Sequence, residues 1–152
     1  FRFSHYNLLV NANGIQKSLN LQRGTSIKVN LTPTTTAWAI LQLILPLYSG
    51  TSLTHKTSDK TFGLPGQFKN PDYLIQKNWS KIEKTIPPSL FILSENSGAV
   101  SINEEAIHLT EYKIYHENIQ LNGHSVMMGY TDDKKNEKCF INNSFILENF
   151  SN

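Results

Sequence analysis

Cysteine is almost missing from this chain: Cys139 is the only one among 152 residues. No intrachain disulfide can form, so the fold does not depend on an oxidising compartment. A charge excess is missing too. The net charge is +2, and twelve of the fourteen basic residues are lysines scattered along the chain. That is too little to argue for nucleic acid or an anionic membrane as a partner. The longest apolar run, residues 37–47, contains Gln42 and Pro46 and is too short to span a bilayer. No signal peptide is visible at Phe1, and the expectation is a piece of a longer precursor, secreted or vesicular. Glycosylation-type triplets at Asn30, Asn78, Asn142 and Asn149 are read as silent in a chain this rich in Asn, Ser and Thr.

Recognisable catalytic chemistry is scarce as well. No glycine-rich phosphate loop opens a helix. Cys139 has no local histidine signature, and a buried structural thiol is the simpler account. His108, His116 and His124 are eight residues apart, which does not aim them at one metal ion. Glu104-Glu105 and Asp132-Asp133 are sequence neighbours, and neighbours on a strand point apart. The expectation is therefore no enzyme, no metal and no cofactor.

What is present reads as one β-rich domain. Residues 27–31 alternate cleanly, with Ile27, Val29 and Leu31 on one face. Residues 112–116 and 126–130 show the same period. The N-terminal segment reads as loose strands, with Asn13-Gly14 as a turn. The apolar run at 37–47 fits a doubly buried strand or a short helix, and its strand neighbours and Pro46 favour the strand. Residues 72–86 suggest a helical turn or two capped by Asp72, and residues 90–93 a short strand ending in a turn at 94–98. Asp132 to Lys138 reads as a polar tip before a last strand over 139–147. Short strands without βαβ alternation predict an all-β sandwich with one long insertion, roughly 55–108.

Three loops stand out on that scaffold. Thr32-Pro33-Thr34-Thr35-Thr36-Ala37 is stiff, between proline and Trp38. Phe62-Gly63-Leu64-Pro65-Gly66 is a turn carrying apolar side chains, with Phe68 just beyond. Tyr130 and Asp132-Asp133-Lys134 form the third. The first reads otherwise as a plain connection, the second as a loop folded on the core.

From Asn13-Gly14 through Gly24 and Pro33-Thr34-Thr35 to Trp38, and again from Glu111-Tyr112 through Asn122-Gly123-His124 to Tyr130, the chain resembles the chagasin-type inhibitors of papain-like cysteine proteases. The long middle segment and Asn/Lys-rich composition look like the malaria-parasite, falstatin-like branch. The resemblance has departures: Thr32 and Thr36-Ala37 replace the family's Asn and Gly-aromatic positions, and Asp132-Asp133-Lys134 its third loop. It implies an immunoglobulin-like β-sandwich, a single inhibitor domain over 1–152, and monomeric, reversible, tight occlusion of a cathepsin L-like or falcipain-like protease. Residues 32–37, 62–66, Tyr130 and 132–134 would meet the protease. The alternative is a non-inhibitory immunoglobulin-like binding or adhesion module, with Asp72, Tyr73 and Trp79 as a sugar site.

Overall fold

Ser4 decides how the chain starts. A computed structural model describes residues 1–79 and 86–148. In it the Ser4 hydroxyl accepts the Asn7 N–H at 3.0 Å while Asn7 Oδ1 accepts the Ser4 N–H at 2.9 Å, a reciprocal cap that opens helix α1 (His5–Ser18). The loose strands and the Asn13-Gly14 turn expected here are thus a helix. Gly14 sits inside it because a Cβ would meet the Ile107 side chain and the His108 carbonyl, both at 2.8 Å. Glycine here lets the helix approach the connection at residues 107–108 closely, rather than turning the chain.

The residues after β1 (Ser26–Lys28) hold a second correction. Thr35 caps a helical segment made of α2 (Thr36–Trp38), a π-helical stretch (Ala39–Ile44) and α3 (Leu45–Ser49). The buried or half-buried residues Ala37, Ile40, Leu41, Ile44 and Leu45 recur at helical spacing. Pro46 does not end the segment. The wider π turn, with the Leu45 N–H donating to the Ile40 carbonyl, precedes it, and Gly50 at φ 69° closes the helix.

The main sheet, among the described residues, has seven strands in the order β2-β1-β3-β4-β5-β6-β7. Its members are β1, β2 (Ser52–Leu53), β3 (Lys60–Gly63), β4 (Tyr73–Gln76), β5 (Ser89–Leu93), β6 (Gly98–Ile102) and β7 (Glu105–Ala106). Strands β1 to β5 run parallel, and β6 and β7 return antiparallel. Five of these strands lie in the segment expected to be an insertion. The helix expected from Asp72 is strand β4, and the remainder of that reading, residues 80–85, lies outside the described residues. Asp72 instead ties β3 to its neighbour, accepting the Thr61 N–H at 2.7 Å.

A second, four-stranded antiparallel sheet has the order β10-β11-β9-β8. It comprises β8 (Thr110–Tyr115), β9 (Asn118–Gly123), β10 (Phe140–Ile141) and β11 (Ser144–Leu147). Asn142 and Asn143, both at positive φ, make the tight turn between β10 and β11. Residues 126–130 are not the expected strand. Only Gly129 pairs, bridging to Arg2, and Met127 rather than Met128 is buried. Helix α4 (Asp133–Cys139), capped by Asp132, replaces the expected polar tip.

Strand β5 explains the layering. Leu90 and Ile92 join the core under the helices with Ile27, Ile40 and Phe62. Phe91 and Leu93 join a second core with Ile119, Leu121, Tyr130 and Phe145 of the smaller sheet side. A strand buried on both faces is what a parallel sheet covered on two sides requires. The architecture is therefore mixed α/β, not an immunoglobulin-like all-β sandwich.

Candidate functional site

Parallel strands end on one common edge, and three segments leaving that edge meet. The threonine loop follows β1, Lys77 follows β4, and Ser94-Glu95 follows β5. Between them lies a cleft of about 380 Å³, lined by Thr34, Thr35, Thr36, Ala37 and Lys77, by Ile92, Leu93, Ser94 and Glu95, and by Phe1. The volume is at the low end of the roughly 300–1,000 Å³ usual for ligand pockets. In open α/β sheets, ligands sit outside the carboxyl ends of the strands, which is where this cleft is.

The polar groups have defined partners. The Thr36 and Ser94 hydroxyls are 2.7 Å apart and join helix to strand end across the cleft. The Thr35 hydroxyl donates to the Thr32 carbonyl at 2.9 Å and accepts the Trp38 N–H at 3.1 Å, so it serves the helix start. Half-buried Glu95 accepts from the Tyr130 hydroxyl at 3.1 Å. Burial and then the Glu95 carboxylate hold the Tyr130 phenol far above its ordinary range, so it stays protonated and donating. Asn136 on α4 clamps the Tyr130 backbone, with its carbonyl oxygen on the Tyr130 N–H at 2.7 Å and its amide on the Tyr130 carbonyl at 3.0 Å. The Lys135 ammonium lies 3.7 Å from the Tyr130 ring centre.

Behind the cleft, Asn11 of α1 reaches the turn that follows Glu95. Its Oδ1 accepts the Ala99 N–H at 3.0 Å, and its Nδ2 donates to the Asn96 and Ala99 carbonyls at 3.0 and 2.8 Å. Gly98, at φ 151°, leaves room for this, because a Cβ would stand 2.5 Å from Asn11 Oδ1.

The residues singled out in the sequence separate into groups. Thr34, Thr35, Thr36 and Ala37 line the cleft, while Thr32 and Pro33 are exposed before it. Tyr130 stands behind Glu95. Asp132 caps α4, Asp133 pairs with Arg2 at 3.3 Å, and Lys134 lies exposed on α4. Phe62 is fully buried and stacked on Tyr73 at 5.2 Å, so it is core. Gly63 is buried under the Phe68 ring, which a Cβ there would meet at 2.7 Å, and Leu64, Pro65 and Gly66 form an exposed turn that does not line the cleft. Trp79 packs edge-to-face on Phe91 and Tyr112, which removes it from a surface sugar site. Ser94, Glu95 and Lys77 were missed. The signal for Ser94 and Glu95 was a continuous apolar run, 90–93, breaking into a polar turn, which marks a strand's carboxyl end once the sheet is known to be parallel. Among the described residues no group of three His, Cys, Asp or Glu side chains converges as a metal site.

No protein-family model and no curated protein matches this sequence. Solved structures do match it in shape. Unliganded o-succinylbenzoate CoA synthetase from Bacillus subtilis superposes with a TM-score of 0.71 at 13% identity, over 95% of this chain and 42% of that one. The chain shares its fold with part of the acyl-CoA synthetases. A putative long-chain fatty-acid CoA ligase from Rhodopseudomonas palustris gives 0.69 at 13% identity, over 95% and 51%. An AMP-forming acyl-CoA synthetase-like protein from Dyadobacter fermentans gives 0.59 at 15% identity, over 81% and 48%. The chain thus spans about half the length of the structures it matches. At such identities the likeness is one of fold.

That likeness overturns the resemblance to chagasin-type inhibitors and what it implied. A protease wedge needs three loops leaving one end of a sandwich, and here the threonine segment is a helix cap beside a sheet edge. The papain-like protease partner, the inhibitory function and the alternative adhesion module all lose their scaffold. The expectation of a non-enzyme is corrected as well, because the proteins that share the fold are ligases.

Proposed function

We propose that the cleft binds an adenylate, and that the chain serves carboxylic-acid activation, in which an acyl-adenylate is made or consumed. The supporting observation is the cleft's place and lining: hydroxyls from two elements, one lysine and one carboxylate, beside apolar walls, at the common edge of the parallel strands. The Bacillus subtilis o-succinylbenzoate CoA synthetase of like fold has been solved with ATP and magnesium and with its acyl-adenylate intermediate. The Thr34, Thr36 and Ser94 hydroxyls and the Lys77 ammonium are suited to phosphate and ribose oxygens. Phe1, Ile92 and Leu93 offer the apolar surface that a flat base needs.

Calorimetric titration with AMP tests this. Saturable binding is expected, and Ser94→Ala and Thr36→Val should each weaken it roughly tenfold or more, the scale of a hydrogen bond to a charged group. No binding, or binding that both variants leave unchanged, would remove the proposal.

A further inference from the structure

The seam beneath the turn after β5 is polar, although it lies between two apolar cores. Helix α1 presents Asn7 and Asn11 to it, four residues and so about one helical turn apart. Asn7 donates to the His124 carbonyl at 2.8 Å, and Asn11 holds the turn at residues 96–99. Asn96, Ser97 and Ser125 are fully buried, and Thr110 nearly so. The Ser125 and Thr110 hydroxyls pair at 3.3 Å. The Met127 N–H donates to the Glu95 carbonyl at 2.8 Å, which ties the segment after Ser125 to the same turn. Two atoms on adjacent residues stand apart. Among the described residues, Asn96 Oδ1 and the Ser97 hydroxyl have no hydrogen-bond partner.

Buried polar groups of this kind find a partner or cost free energy. Turning the Asn96 amide over brings no relief. Its Nδ2 donates to the Ala99 carbonyl at 2.6 Å, and the reversed amide would set oxygen against oxygen. The backbone is pinned as well, with Ser97 at φ 57° and Gly98 closed over by Asn11. We propose that the seam is a binding site for one internal water molecule, which donates to Asn96 Oδ1 and bonds the Ser97 hydroxyl. Water is the ligand class that fits. Oδ1 needs a donor, the hydroxyl can give or take a proton, and buried waters make roughly two to four such bonds. An anion would meet the Asn96 oxygen, and a hard cation such as calcium needs about six or more oxygens. The water completes what Asn11 begins, because Ser94 and Glu95 of the cleft immediately precede the turn that both hold.

High-resolution crystallography of this chain tests the site directly. Density for one water is expected within hydrogen-bonding distance of both Asn96 Oδ1 and Ser97 Oγ. No density there, or a Ser97 hydroxyl turned onto a protein acceptor, overturns the proposal. In solution, oxygen-17 relaxation dispersion counts long-lived internal waters. The double variant Asn96→Leu, Ser97→Gly removes both proposed partners. Glycine accepts the φ of 57°, and the Ala99 carbonyl keeps its Asn11 donor at 2.8 Å. The folded variant should hold one long-lived water fewer than the parent, and equal counts overturn the proposal. Should the variant not fold, the parent crystal still decides.

Discussion

Asn11 is the residue whose removal says most about how the cleft is held. It is fully buried in α1, yet it serves the turn after β5 rather than its own helix. Asn11→Ala would strip the Ala99 N–H and the Asn96 carbonyl of this partner in the protein interior. The Ala99 carbonyl keeps its second donor, the Asn96 amide at 2.6 Å. Each orphaned group costs about 1–3 kcal/mol, and lost volume adds to it, so ~3–5 kcal/mol is expected. A domain has only about 5–15 kcal/mol in all. At about 2–4 °C per kcal/mol for this size, the melting temperature should fall by roughly 6–20 °C. Urea unfolding is the assay, with the midpoint moving and the slope m unchanged. Asn11→Asp keeps an acceptor for Ala99 but loses both donations and buries a charge, so it should cost no less. A loss below ~1 kcal/mol for the alanine variant would refute the reasoning, since the groups would then have another partner or reach water.

Phe62→Ala should cost ~3–5 kcal/mol by urea denaturation, because the ring is fully buried and stacked on Tyr73; near-neutral behaviour would return it to an exposed loop. Thr35→Val should remove about 0.5–2 kcal/mol of stability through the lost helix cap, read as a shift in the thermal midpoint. The backbone N–H and then the hydroxyl of Ser26 hold the exposed Asp59 carboxyl below its ordinary value of 3.8. Its contribution is therefore present above that value and lost as pH falls through the lowered one. The stability difference between the parent and Asp59→Asn, followed from pH 6 downwards, should shrink over that acid range, and a difference that grows with acid would contradict the assigned bonds.

Much of the strand content was legible and most of the helix was not, for reasons that lie in particular residues. The alternation at 27–31 fits β1 and its buried continuation Val29 and Leu31. Residues 90–93 lie in β5, and 112–115 in β8. Helix α1 hides because its buried side includes Asn7, Asn11 and Gly14 where a periodic reading looks for apolar residues. The helical segment 36–49 hides for the opposite reason. It is apolar on its outer side too, with Leu43 and Leu47 exposed, so no stripe contrasts with a polar face. The parallel sheet hides because β1 to β4 are two to four residues long and a helical crossover joins only β1 to β2 within that set. Without the βαβ rhythm, short strands and turns read as a sandwich.

The threonine segment shows how one set of residues supports two physical readings. Read from the sequence, proline and β-branched stiffness suggest a rigid wedge aimed at a partner. The same features suit a helix start: Thr35 in the extended conformation places its hydroxyl on the Trp38 N–H, and that donor would otherwise lack a partner within the helix. A cap at this point fixes more than the helix. It sets the Thr36 hydroxyl against Ser94, and Ser94 is placed in turn by β5 and by the turn that Asn11 holds. The cleft is therefore assembled from three local devices, a cap, a doubly buried strand and a buried asparagine. Each has its signal in the sequence, but their meeting depends on strands running parallel, which no single stretch of this chain announces.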